Sequence, residues 1–60
     1  MVYMKITELK GNPLQHAINE AREAEWNGKK SIDRQTIIDL EIANNTEYDE
    51  NGCFLSYGNK

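Results

Sequence analysis

Only His16 and Cys53 offer an imidazole or a thiol in this chain, one of each. Nucleophilic catalysis of the Ser-His-Asp or Cys-His kind needs a nucleophile and a base held together in a sheltered cleft. His16 falls in the first turn of an expected helix, off its apolar stripe, so a solvated ring is expected. Cys53 opens the apolar stretch Cys53-Phe54-Leu55, where a small apolar filler is the expected role. No C-x-x-C or H-x-x-x-H spacing suggests zinc. Gly11, Gly28, Gly52 and Gly58 stand isolated, as turn glycines do, so no phosphate-binding loop is present. The sequence therefore leads us to expect no catalytic residue, no metal and no cofactor, and a protein that is not an enzyme.

Binding is the chemistry left to such a chain. Large aromatics supply much of the energy at protein interfaces. Trp26 sits at an expected helix end beside Asn27-Gly28-Lys29-Lys30, and Tyr48 lies within the acidic run Glu47, Asp49 and Glu50. These five residues, Trp26, Glu47, Tyr48, Asp49 and Glu50, are the candidate partner-binding set. Phe54 is assigned to the core. An exposed tyrosine among carboxylates would dock on a basic or arginine-rich surface through electrostatic complementarity. The basic trio Lys29, Lys30 and Arg34 reads as a solvated loop.

Charge supports that emphasis. Residues 1–30 carry five basic and four acidic side chains, whereas residues 31–57 carry six acidic side chains against Arg34 alone. An acidic half repels nucleic acid and attracts basic protein surfaces, although it also keeps a small protein soluble. Direct nucleic-acid binding is not expected. The lone thiol suits a reducing compartment. Met1–Ile6 is too short an apolar stretch for a signal peptide, and nothing approaches the ~20 apolar residues of a membrane span. A cytoplasmic protein without membrane contact is the expectation.

The elements that position these residues are few. Sixty residues form a single small domain, with an ordered core expected over about 2–57. A domain of this size buries only about 60% of the surface its unfolded chain exposes. Disulfide and metal compensation being absent, a homodimer or a larger partner remains, unless the core is simply well packed. Residues 2–9 alternate as a strand, with Val2, Met4 and Ile6 on one side and Tyr3, Lys5 and Thr7 on the other. Asn12, Pro13 and Gln15 spell a capping box for a helix from Pro13 to about Trp26, which Asn27-Gly28 ends. Its inner stripe is Leu14, Ala17, Ile18, Ala21 and Ala24.

Residues 33–43 are ambiguous. Ile38, Leu40 and Ile42 alternate as a strand, while Ser31, Asp33 and the Leu, Glu and Ala content favour a helix starting near Ser31 or Asp33. The helix is preferred, and its apolar residues, spread around the whole wheel, predict heavy burial. Thr46–Tyr48 and Cys53–Tyr57 read as a β-hairpin around Asn51-Gly52, the pair that supplies positive φ in tight turns. The expected fold is an α+β domain: N-terminal strand, capped helix, second helix or strand, and C-terminal hairpin.

The order strand, helix, Asn-Gly turn, helix over about residues 2–44 resembles the ribbon-helix-helix transcription regulators. That resemblance implies a dimer whose paired N-terminal strands present Tyr3, Lys5 and Thr7 to the DNA major groove. The chain departs from the family in its acidic charge, its few basic strand residues and its C-terminal hairpin. In size and composition it also resembles the small inhibitors by which phages and mobile elements block host or defence proteins. The leading expectation is a non-enzymatic protein-binding module that regulates or inhibits a larger macromolecule by occluding a surface. The alternative is a ribbon-helix-helix-like dimeric DNA-binding regulator.

Overall fold

The computed structural model describes residues 3–58, and the assignment of Val2 to the inner side of the first strand lies outside them. The architecture is α+β: β1 (Met4–Lys5), a 3₁₀ turn (Ile6–Glu8), α1 (Gly11–Trp26), α2 (Arg34–Asn44), β2 (Thr46–Tyr48) and β3 (Phe54–Tyr57). The strands form one antiparallel sheet in the order β1-β2-β3. Ile6, Leu9, Ala17, Ile18, Ala21, Ile37 and Tyr48 make a single buried cluster, with Met4, Leu14, Trp26, Ile32 and Ile38 packed against it.

The expected strand over residues 2–9 is cut to two residues. Glu8 causes the break, its Oε1 accepting the Lys5 backbone N–H at 2.7 Å. The chain therefore tightens at Ile6, and a 3₁₀ turn of three residues per turn brings Ile6 and Leu9 to the same side, where both are buried. What remains of the strand pairs within its own chain, Met4 opposite Tyr48 and Lys5 opposite Glu47. Of the residues that the ribbon-helix-helix resemblance aims at DNA, Thr7 lies in the 3₁₀ turn, and Lys5 Nζ sits 3.3 Å from Glu47 Oε2. The strand is thus two residues long and paired within its own chain.

The α1 helix buries Ala17, Ile18 and Ala21 as its spacing predicts, and Asn27 at φ 53° closes it with an amide donated to the Arg22 carbonyl. Its start differs from expectation. Lys10 takes the N-cap position without a side-chain bond, and Gln15 Nε2 donates to Asn19 Oδ1 one turn on, so no capping box forms.

Residues 33–43 are helical. Asp33 is the N-cap itself, its Oδ1 accepting the Thr36 amide at 2.8 Å, which holds its carboxyl below the usual carboxylate range. The expected heavy burial fails. Ile37 and Glu41 are the residues of α2 that reach the interior, while Ile42 is 50% exposed. The phase is set by Ile37 and by Glu41 one turn later, so the apolar residues elsewhere on the wheel stay at or near the surface.

The hairpin forms, but with a different turn. Gly52 N–H donates to the Asp49 carbonyl at 3.0 Å, so Glu50 and Asn51 are the central residues. Positive φ falls on Gly52, at 83°, and not on Asn51. Gly52 is also pressed against α1, since a Cβ there would lie 2.0 Å from the Pro13 carbonyl oxygen.

Candidate functional site

The pairing of β2 with β3 is irregular in a way that shapes the surface. Thr46 lies opposite Tyr57, Glu47 opposite Ser56, and Tyr48 opposite Phe54, so Leu55 is an extra residue that nothing faces. In a regular strand, residues three apart point to opposite faces. The bulge at Leu55 absorbs one step and brings Phe54 and Tyr57 to the same face, beside the inward pair Thr46 and Tyr48. Their rings meet edge to face with centroids 5.1 Å apart. Both rings stay substantially open, Phe54 at 45% and Tyr57 at 40% exposure. The assignment of Phe54 to the core is thus corrected.

These rings form one wall of a groove of about 80 Å³ between the hairpin and α1, which Ala21 and Ala24 line on the helix side. The small alanines of the α1 stripe leave the space, because no longer side chain from that turn fills it. Three carboxylates border the groove: Glu20, Glu25 and Glu41. Glu20 Oε1 accepts the Phe54 amide at 3.0 Å, and Glu25 Oε1 accepts the Tyr57 hydroxyl at 3.0 Å. These two bonds fasten β3 to α1 and hold the aromatic pair in place. The bond to Glu25, followed by burial, raises the Tyr57 phenol above its ordinary pKa.

Glu41 is the unusual member. It is 3% exposed, and no Lys, Arg or His among the described residues pairs with it. Its Oε1 accepts both the Thr46 hydroxyl, at 2.6 Å, and the Tyr48 hydroxyl, at 3.2 Å, whereas Oε2 receives no donor from a described residue. Burial, and then the Glu41 charge, push the Tyr48 phenol well above its ordinary pKa. A buried carboxylate without a cation is costly unless its lone pairs are filled. Glu41 has protein donors on one oxygen only, and Oε2 is not among the buried atoms left without a partner.

The sequence-expected contact set is dispersed by the fold. Tyr48 is 1% exposed and belongs to the core, so it is not the open tyrosine of an acidic cluster. Glu47 is engaged by Lys5 and by the Ser56 hydroxyl. Asp49 Oδ1 accepts the amides of Asn51 and Cys53, and the bond from Cys53 leads in lowering its pKa. Glu50 remains exposed at the turn. Trp26 is half-buried against the core and lies outside the groove. Glu20, Glu25, Glu41, Phe54 and Tyr57 were not singled out as contacts from the sequence, and the bulge that assembles them carries no residue signal at Leu55.

The thiol and the imidazole do not line the groove, although His16 Nε2 lies 3.8 Å from Glu20 Oε2 at its border. Burial, then the Asp49 and Glu20 charges, push the Cys53 thiol up, which disfavours the reactive thiolate. His16 Nδ1 lies 3.1 Å from the Gly52 carbonyl, which can only accept, so that nitrogen carries the proton. The ring thus helps pin the turn to α1. Among the described residues no three His, Cys, Asp or Glu side chains converge as a metal site, and no helix is long and apolar enough to cross a membrane.

A second groove, of about 170 Å³, lies on the other side of Glu41 between Lys5, Ile6, Thr7, Ile42, Asn45 and Thr46. It has no aromatic wall, and the Lys5 ammonium borders it. Compared with known proteins, the chain matches no family model, no curated protein and no solved structure.

Proposed function

We infer that the chain is a non-enzymatic protein-binding module, which regulates or inhibits a larger macromolecule by covering one of its surfaces. The observation that carries this reading is the aromatic groove between β3 and α1. Phe54 and Tyr57 stay open on a strand that two bonds tie to α1, and they sit beside three carboxylates of which only Glu20 has a basic neighbour among the described residues, His16 Nε2 at 3.8 Å. Large aromatics are the usual anchors of protein interfaces, where a partner's approach desolvates them. The acidic border supplies charge complementarity to a basic face, including one that otherwise holds nucleic acid. The ribbon-helix-helix alternative draws no support from a β1 that is two residues long and paired within its own chain.

The test is a tagged pull-down from source-cell lysate, with and without nuclease, using the wild-type chain and a Phe54→Ala/Tyr57→Ala variant. A protein recovered in near-equal amount by the wild type in both conditions, and lost by the variant, is the expected result. Recovery of nucleic acid alone, or of a protein held equally by the variant, would overturn the reading of this groove as the interface.

A further inference from the structure

We propose that the groove between β3 and α1 is a receptor for a single arginine side chain presented by a partner protein. The proposal rests on the binding-module reading above and names the chemistry its partner must carry. Size limits the occupant first. A space of about 80 Å³ is several times the roughly 10–15 Å³ that one water requires, so it admits one side-chain head and excludes a helix or a nucleotide.

Charge decides next. Glu20, Glu25 and Glu41 border the groove; His16 Nε2 lies 3.8 Å from Glu20 Oε2, neither Glu25 nor Glu41 pairs with a basic side chain among the described residues, and Lys5 borders the second groove instead. The acidic border is not the whole argument. Glu41 is more than nine-tenths buried, its Oε1 is saturated by two hydroxyl donors, and its Oε2 has none from the described residues. Glu41 borders the second groove as well, and its Oε2 is not among the buried atoms left without a partner, so what it offers a donor entering the β3–α1 groove is a carboxylate largely shielded from solvent and paired with no cation among the described residues.

Shape then selects among cations. The carboxylates do not converge into a metal-ligand set. The same groove is lined by two aromatic rings in an edge-to-face pair. A guanidinium satisfies both features at once, because its plane stacks on an aromatic ring while its N–H groups donate to carboxylates. An ammonium supplies charge without the stacking plane. The bonds from the Phe54 backbone amide to Glu20 and from the Tyr57 hydroxyl to Glu25 tie β3 to α1 before any ligand arrives, which limits the ordering that accompanies binding.

The experiment is a titration of the isotopically labelled full chain with N-acetyl-arginine methylamide, followed by amide shifts, with the citrulline and lysine analogues in parallel. Saturable shifts at Ala21, Ala24, Phe54 and Tyr57 are expected for arginine. Citrulline, which keeps the shape without the charge, is expected to bind at least about tenfold more weakly. Glu25→Gln is expected to weaken arginine by a similar factor, and retained spectral dispersion shows that this surface variant folds. Absence of saturable shifts, shifts centred elsewhere, or equal response to citrulline or lysine would overturn the proposal. Should the arginine analogue fail while the lysate partner is still lost on Phe54→Ala/Tyr57→Ala, the arginine assignment falls and the binding module stands. The reverse pair of results removes the protein-partner reading and leaves the arginine site.

Discussion

The Glu41 network yields a quantitative prediction because its three members are all buried and its bonds are few. Thr46 and Tyr48 each direct a hydroxyl to Glu41 Oε1. A hydrogen bond to a charged group contributes about 1.5–3 kcal/mol, and leaving a buried charged acceptor short of donors costs more than the loss of a neutral pair. Thr46→Val removes the shorter bond, at 2.6 Å, and is expected to cost about 2 kcal/mol; Tyr48→Phe removes the 3.2 Å bond and should cost about 1 kcal/mol. In a domain this small, 1 kcal/mol moves Tm by roughly 4–8 °C, so Thr46→Val should lower it by about 8–16 °C. The decisive comparison is the triple variant Glu41→Met/Thr46→Val/Tyr48→Phe. Replacing every partner of a buried polar set with apolar groups of similar shape is often neutral or stabilising. Thermal melts followed by circular dichroism should place the triple variant at or above wild type. A triple variant that loses the sum of its single losses would show that the hydroxyls act by packing and that Glu41 is not a burden on the fold.

Gly52→Ala should destabilise by about 2 kcal/mol or more, from left-handed φ together with a Cβ driven against the Pro13 carbonyl, as urea unfolding would read. At low pH, Asp33 and Asp49 have depressed folded-state pKa values, so their stabilisation is present above the unfolded value of 3.8 and disappears as pH falls through the folded values. Asp33→Asn/Asp49→Asn should flatten that acid limb in a pH series of melts, and an unchanged limb would contradict the assignment. Tyr48 acts with the opposite sign: its raised folded pKa gives stability that is complete below the unfolded value of 10.0 and is lost at higher pH. Tyr48→Phe should remove that alkaline loss. The exchange Ser56→Tyr/Tyr57→Ser keeps composition but moves the tyrosine to the other strand face, and it should weaken arginine binding by about tenfold with the fold retained.

Elements whose signals are local were legible in the sequence. The α1 stripe of Ala17, Ile18 and Ala21, the Asn27 stop and the hairpin follow from spacing and turn chemistry that neighbouring residues supply. Features set by which side chain wins a backbone amide, or by contacts between elements, were not. The alternation at Val2, Met4 and Ile6 promised a strand, but the Glu8 carboxylate captured the Lys5 amide and tightened the chain. The wheel of α2 gave no direction because its apolar residues surround it; burial was decided by Glu41, whose hydroxyl partners come from β2. Tyr48 was read as exposed from its acidic neighbours, although a tyrosine on the central strand of a three-stranded sheet is placed to reach the core. Strand parity put Phe54 and Tyr57 on opposite faces, and a single bulge reversed it.

Three departures from what the sequence pattern favours fall together. A charged residue buried where the helix pattern offered isoleucines, two large aromatics left open in a domain short of core, and a bulge in a four-residue strand each run against what stability alone would favour. All three meet at the groove between β3 and α1. Independent departures would fall at unrelated places, because nothing about a buried glutamate on α2 requires a bulge on β3. Their convergence is explained if the groove is maintained for a ligand. The same explanation requires that relieving the conflict raises stability and abolishes binding together. The Glu41→Met/Thr46→Val/Tyr48→Phe variant measures both in one protein: a melting temperature at or above wild type, with the arginine response lost, is the expected pair. A variant that is more stable and still binds arginine would separate the buried carboxylate from recognition and leave the aromatic rings to act without it.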